Sequence, residues 1–353
     1  MIDIHIKNIF KKNKYVKKKV LVTGAGGFIG SHLVEELLKK NYAVKAFLKY
    51  NSNSNLGWLN QIQKSENLEI IFGDVRDFDT INNAVLGCDF ILNLAAMISV
   101  PFSFKNPQSF VDTNILGLLN IIRSANIHKK KIKKIVQISS SEVYGNLMAK
   151  GKKNLLESDI LKSESPYAAS KISSDHLAIS MHKALKLPIV VARPFNTFGP
   201  RQSLRAVIPT LICQFLQSKK NNTHIKVGNI STKRDFVYVK DTVNGLIKIM
   251  QDTKNEGQVY NIATNSSHKI MDVIKFLSEF TSIKPILKIK KKRKRVSEVY
   301  ELRGSNLKLY KKTRWKPKYL YLTGFKKALI ETLNWFKKEE NMRHYNNVNS
   351  YHI

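Results

Sequence analysis

KVLVTGAGGFIGSHLVEELLKKN, residues 19–41, decides the fold. Its first part, KVLVTG (19–24), is a short β-branched run ending in glycine. The part that follows, SHLVEELLKKN, continues a helical stripe made of Ile29, Leu33, Val34, Leu37 and Leu38. Between the two, Gly24, Gly27 and Gly30 recur as G-x-x-G-x-x-G. Glycines at a strand-to-helix turn permit a tight bend and let the backbone approach a pyrophosphate on the helix N-terminus. A glycine triplet alone says little. Directly after a strand and opening a helix, it reads as a dinucleotide turn. Gly24, Gly27, Phe28, Ile29 and Gly30 are the candidate contacts.

Further short apolar runs follow: YAVKAFL, LEIIFGD, CDFILNLA, KIVQIS and LPIVVAR. Helix-length patterns such as DTNILGLLNIIRSAN separate them. This alternation predicts an α/β fold, a doubly wound parallel sheet of Rossmann type with helices on both faces. The near-continuous apolar strands suit burial on both faces. After about Pro194 the rhythm loosens, and a smaller C-terminal lobe is expected. The predicted division is a basic extension (1–18), a dinucleotide-binding domain (19–194 plus about 234–264), a substrate lobe (195–233 and 265–337) and a frayed tail (338–353).

The chain has 353 residues, of which 43% are hydrophobic, so a large core is available. Its net charge of +34 comes from lysines spread through the whole length among Asn and Ile. That spread reads as a compositional bias, so neither nucleic acid nor membrane is expected as a partner. Anionic substrates should be attracted, and their binding should weaken with salt. Two distant cysteines, Cys88 and Cys213, predict no disulfide framework and no metal site, and fit a cytoplasmic protein. FILNLAAMISVPF is too short to span a bilayer.

At the end of the second strand, where an acid would bind the ribose of NAD, the sequence reads AFLKYNSNSN. Lys49 leans toward NADP, whereas Tyr50 or Asn51 can hydrogen-bond a ribose. NAD is the expected cofactor, with NADP left open. Asp74 and Val75, in FGDVRD, are placed for the adenine. Leu94, Ala95 and Ala96, after the fourth strand, would run beside the cofactor.

In SPYAASKISSDHLA, Tyr167 and Lys171 stand at i and i+4 and share one helix face. A free tyrosine has a pKa of about 10. A lysine ammonium and an oxidised nicotinamide ring nearby would lower it and make Tyr167 a base at neutral pH.

TGAGGFIG, GDVRD, NLAA, SSSEVYG, YAASK, RPFNTFGPRQ and RDFVYVKD together resemble the extended short-chain dehydrogenase/reductases that modify nucleotide sugars. The resemblance runs from Lys19 to about Lys337. It implies that Ser140 hydrogen-bonds the reacting hydroxyl and that Tyr167 and Lys171 complete the catalytic set. It also gives Glu142 a role. Simple 4-epimerases of the family usually carry a neutral residue there. The 4,6-dehydratases need a carboxylate over C5. The dTDP-glucose and GDP-mannose enzymes read Thr-Asp-Glu and Thr-Ser-Glu where this chain has Ser140, Ser141 and Glu142. A dedicated acid is missing at Ser141, so Glu142 is expected to serve as base and then as acid.

KYNSNSNLGWLN, VPFSFKNPQSFVDTN and RQSLRAVIPTLI narrow the resemblance to the N-acetylglucosamine nucleotide 4,6-dehydratases of the bacterial legionaminic acid pathway. The implied substrate is a nucleotide-diphosphate sugar, UDP- or GDP-N-acetylglucosamine. Motif matches assign Asn196, Arg234, Asn261 and Arg295 to it. A homodimer is expected through DTNILGLLNIIRSAN and the helix of Tyr167. The rivals are an NDP-sugar 4-epimerase, a UDP-glucuronate decarboxylase and a non-catalytic nucleotide- or RNA-binding relative. Intact Ser140, Glu142, Tyr167 and Lys171 argue against the last.

Overall fold

A computed structural model describes residues 17–218, 224–290 and 298–345. Most of the basic extension, and Arg295, lie outside the described residues.

Six strands alternate with helices: β1 (Lys19–Thr23), β2 (Ala43–Lys49), β3 (Leu68–Gly73), β4 (Phe90–Asn93), β5 (Lys134–Ile138) and β6 (Ile189–Pro194). The later strands are β7 (Asn196–Phe198), β8 (His224–Val227), β9 (Lys233–Arg234), β10 (Phe236–Tyr238), β11 (Val259–Ile262), β12 (His268–Lys269), β13 (Ile286–Ile289) and β14 (Glu301–Leu302). One sheet has the order β11-β6-β5-β4-β1-β2-β3, and every pairing in it is parallel. The predicted doubly wound sheet is present.

Alternation along each strand divides the core in two. Leu21, Ile91, Ile135 and Ile189 pack on one face, and Val22, Leu92, Val136 and Val190 on the other. The order reverses between β1 and β4, so the crevice outside their carboxyl ends is where such sheets take ligands. A buried polar ladder runs across those ends. The Thr23 hydroxyl donates to Asn93 Oδ1 (2.6 Å), and Asn93 Nδ2 donates to Gln137 Oε1 (2.7 Å). The Ala95 N–H then donates to Thr23 Oγ1 (3.1 Å), which fixes the chain leaving β4 against the end of β1.

The remaining segments form small sheets, β12-β9-β14, β10-β7 and β13-β8, packed with the helices Val207–Leu216, Ile270–Thr281 and Tyr321–Lys337. The tail is a correction. Residues Glu339–Met342 are helical and Arg343–Tyr345 form a 3-10 turn. Asn341 and Tyr345 are buried, because Tyr345 has a ring pocket to fill among Trp58, Trp335 and Phe336. Order therefore extends through Tyr345, where fraying was expected from Lys338.

Candidate active site

The glycine turn leaves β1 with Gly24 at φ +66°, a left-handed conformation that favours glycine. A Cβ there would approach Ala95 N to 3.0 Å, and one on Gly30 would meet the Gly24 carbonyl at 2.2 Å. Leu94 and Ala95 thus lie directly against the turn. The helix Phe28–Lys39 begins at Gly27 with no side-chain cap and no acid in its first turn. Its first N–H groups, those of Phe28 and Ile29 among them, present positive charge to the crevice. An uncapped helix start over a cradle that side chains would fill fits a dinucleotide pyrophosphate.

Asp74 follows β3. Its carboxylate accepts from Arg76 Nε (2.9 Å) and Nη2 (2.7 Å), and Arg76 holds it well below the usual carboxylate range. It stays an ionised acceptor. Val75 is buried beneath it, and its carbonyl accepts from Asn120. After β2, Asn51 is consumed by its own loop: its Oδ1 accepts from Asn55 N (2.7 Å) and its Nδ2 donates to Asn55 O (3.1 Å). Tyr50 beside it is exposed.

The catalytic candidates meet at the end of β5. Ser140 caps the 3-10 turn Ser141–Tyr144 and accepts from the Glu142 N–H (3.2 Å). Ser141 and Glu142 are buried, Glu142 at 8% exposure. Tyr167 and Lys171 come from the helix Pro166–Leu185, which starts at the Ser165 cap and Pro166. Lys171 Nζ donates to the Ile138 carbonyl (2.9 Å), the last residue of β5. This bond seats the helix against the strand end that carries Ser140.

Burial works against the lowering of Tyr167 expected from Lys171 and an oxidised nicotinamide ring. Burial pushes Tyr167 up to about 12, although a hydrogen bond with Ser140 pulls it down and the Glu142 charge adds to the rise. Burial pushes Lys171 down to about 8. Lys171 Nζ is turned to the Ile138 carbonyl, so the expected base draws on the nicotinamide charge as well. The i, i+4 spacing does not reveal this desolvation.

Sequence reasoning missed three supports. Asn114 lies in a π-helical turn, Val111–Leu116, a distortion frequent at functional sites. It accepts from Met97 N (2.8 Å) and donates to Met97 O (3.1 Å) and Ser170 Oγ (2.8 Å). It thereby ties the chain leaving β4 to the helix of Tyr167 and Lys171. The available signal was an amide on the inward stripe between Phe110 and Leu118. Asp175, one turn past Lys171, accepts from Arg193 Nε (2.9 Å), and both are buried. Arg193 Nη1 also donates to the Tyr144 hydroxyl (3.0 Å).

Two of the four substrate candidates come together. Asn196 opens β7, half-buried, and its N–H donates to the Asp235 carbonyl (3.0 Å), next to Arg234. Among the described residues Asn196 Oδ1 has no hydrogen-bond partner. Asn261 is a correction. It is 0% exposed, its Oδ1 accepts from the Tyr144 hydroxyl (2.7 Å) and its Nδ2 donates to Leu155 O (3.1 Å). It supports Tyr144 from inside the core and is out of reach of a ligand.

Asp235 anchors the Arg234 segment. Its carboxylate accepts from Thr264 N (2.9 Å), Thr264 Oγ1 (2.7 Å) and Gly304 N (3.2 Å), while burial pushes it up to about 7. Asp235→Asn turns an amide N–H₂ toward these donors. It should cost about 3 kcal/mol of stability, from two or more orphaned groups. Urea unfolding measures this, and an unchanged midpoint would contradict the anchoring role.

A doubly wound sheet with a glycine turn after β1, and with Ser140, Tyr167 and Lys171 gathered at the end of β5, defines an extended short-chain dehydrogenase/reductase. Within that class the chain belongs to the GDP-mannose 4,6 dehydratase family, whose profile matches residues 21–328. It is 33% identical over 271 residues to the dTDP-D-glucose 4,6-dehydratase of Dictyostelium discoideum, covering 73% of this chain and 61% of that protein. Among solved structures, the dTDP-glucose 4,6-dehydratase of Bacillus anthracis, in complex with NAD, superposes with a TM-score of 0.78 at 26% identity. That match covers 92% of this chain and 97% of the other. The UDP-glucuronic acid 4-epimerase of Bacillus cereus, in complex with UDP-glucuronic acid and NAD, gives 0.80 at 27% identity, covering 90% and 99%. Among the described residues no helix is long and apolar enough to cross a membrane, and no three His, Cys, Asp or Glu side chains are grouped so as to hold a metal ion.

Proposed function

We propose that the chain is an NAD-dependent nucleotide-sugar 4,6-dehydratase acting on UDP- or GDP-N-acetylglucosamine. The observation that carries the reading is Glu142, a buried carboxylate whose charge acts on Tyr167. NAD, which the glycine turn would hold, would supply an acceptor for the C4 hydride and a donor for C6. Its positive oxidised ring would also oppose the burial that holds Tyr167 protonated.

Tyr167, whose ionisation Ser140 favours, takes the C4 hydroxyl proton as the C4 ketone forms. The ketone acidifies the C5 proton, which Glu142 removes. The same carboxyl group, now protonated, gives its proton to the departing C6 hydroxyl, so one water leaves and no net reductant is consumed. With hydride returned to C6, C5 would take a proton from solvent while Tyr167 releases to solvent the proton it took from C4, which completes the 4-keto-6-deoxy sugar with no net change in protons. Asn196 and Arg234 bind the diphosphate, with Arg234 offering a planar fork to phosphate oxygens. The N-acetylglucosamine assignment rests on the stretches 49–60, 100–114 and 201–212, which resemble that branch.

Incubating the purified protein with UDP- and GDP-N-acetylglucosamine, and with dTDP- and UDP-glucose, tests the reading by mass spectrometry. Loss of one water from an N-acetylglucosamine nucleotide is expected. Loss from a glucose nucleotide alone would move the substrate. Unchanged mass with an epimerised product would replace the dehydratase by a 4-epimerase, as the B. cereus neighbour is.

We also propose a homodimer through residues 112–126 and the helix of Tyr167, where Leu116, and Val111 just before the first segment, are exposed apolar residues, at 45% and 41%. A monomer in sedimentation at micromolar concentration would remove this.

A further inference from the structure

The segment from Glu339 to Tyr345 has no part in the chemistry above, yet one residue separates it from the glycine turn. It folds back along the helix Tyr321–Lys337, with Asn341 Nδ2 donating to the Trp335 carbonyl (2.8 Å). Asn341 Oδ1 accepts from Gln61 Nε2 (3.2 Å), and the Tyr345 hydroxyl donates to the Gln202 carbonyl (2.9 Å). Trp58 is enclosed by three rings, with centroids at 5.4 Å (Trp335), 4.8 Å (His344) and 5.6 Å (Tyr345).

Trp58 and Gln61 belong to the 3-10 turn Gly57–Gln61. The Trp58 N–H donates to the Gly26 carbonyl (3.0 Å). The contact has no slack: a Cβ on Gly57 would come within 2.5 Å of the Gly26 oxygen, and one on Gly26 within 2.7 Å of the Leu56 oxygen. Gly26 lies between Gly24 and Gly27, in the turn that cradles the pyrophosphate.

We infer that Glu339–Tyr345 is a positioning element of the dinucleotide site: it fixes Trp58, and the Trp58–Gly26 hydrogen bond holds the glycine turn in its receiving conformation. The inference rests on the NAD reading above. A turn with glycine at 24, 26 and 27 has many conformations open to it. Any that must be frozen out during binding weakens the cofactor, and a clamp that freezes them beforehand strengthens it. The clamp grips the neighbouring helix as well. Gln202, which Tyr345 holds, follows Arg201, and Arg201 Nη2 pairs with Glu35 (3.1 Å) on the helix that opens at the turn.

The test uses full-length protein stripped of nucleotide, with NAD titrated by calorimetry and melting followed with and without NAD. Tyr345→Ala should raise the NAD dissociation constant roughly tenfold and shrink the NAD-induced rise in melting temperature. Tyr345→Phe keeps the ring against Trp58 and should stay within about twofold of wild type. His344→Ala alters an exposed side chain and should weaken NAD about threefold. It decides the matter if Tyr345→Ala does not fold. Unchanged NAD affinity in the alanine variants overturns the inference even if their melting temperatures fall, because packing alone would do that. A wild-type chain that takes up no NAD overturns the cofactor reading, and the inference with it.

Discussion

Glu142→Gln should slow water loss by about 10³-fold, within the usual contribution of a general base, while leaving C4 oxidation intact. Glutamine keeps the size of the side chain and one of its acceptors, and it suits the same place on the 3-10 turn after Ser140. It cannot take a proton from C5 or give one to the C6 hydroxyl. The reaction should therefore halt after the first step, with the sugar as a 4-ketone and the hydride held on the nicotinamide. Mixing enzyme and substrate would give the absorbance of reduced nicotinamide in a single stable burst, with no dehydrated product by mass. Normal water loss in this variant would remove Glu142 from the mechanism and assign the C5 proton to another group.

Tyr167→Phe should fail earlier, with turnover down about 10³-fold and no burst of reduced nicotinamide. The ring is retained, so its edge-on contact with Phe110, at 6.1 Å between centroids, survives. Only the oxygen that takes the C4 proton is lost. The two variants separate the steps: one accumulates reduced cofactor, the other never forms it. A burst in Tyr167→Phe equal to that of Glu142→Gln would show that another group removes the C4 proton. The Lys171 ammonium sets a further condition. Held down to about 8 by burial, it keeps its charge below that pH and loses it above. Its ammonium supports the Tyr167 phenolate in the proposed mechanism, so C4 oxidation should decline as pH rises past about 8, and a flat profile there would remove Lys171 from that role.

The sheet and the glycine turn were legible because local rules govern them. A strand buried on both faces needs a continuous apolar run, and a turn with a positive φ at Gly24 favours glycine. The pairing of Tyr167 with Lys171 was legible through spacing, and the parts of Ser140 and Glu142 only through the resemblance to the family. What spacing hid was burial. It hid the desolvation that raises Tyr167 and the interior position of Asn261, which a motif match had assigned to the substrate. The C-terminal clamp was illegible for another reason. Tyr345 pairs with Trp58 and Asn341 with Gln61, partners some hundreds of residues upstream, so neither end alone carries a period or a cap that announces the contact. Asn114 sits between these cases. Its amide broke an apolar stripe in plain view, but its partners Met97 and Ser170 come from two other elements.

The Thr23–Asn93–Gln137 ladder has a consequence for how the chain finds its structure. Parallel strands made of similar apolar residues offer little to tell one alignment from its neighbour. A slip of β4 by one residue would turn Asn93 into the opposite core and leave the Thr23 and Gln137 side chains without their partners. At about 1–3 kcal/mol for each orphaned group, that error costs as much as a large core truncation. The three side chains thus work as a proofreading key for the middle of the sheet. Because the key sits at the strand ends that border the crevice, a chain that has paired its strands correctly has, by the same event, set the floor of its active site.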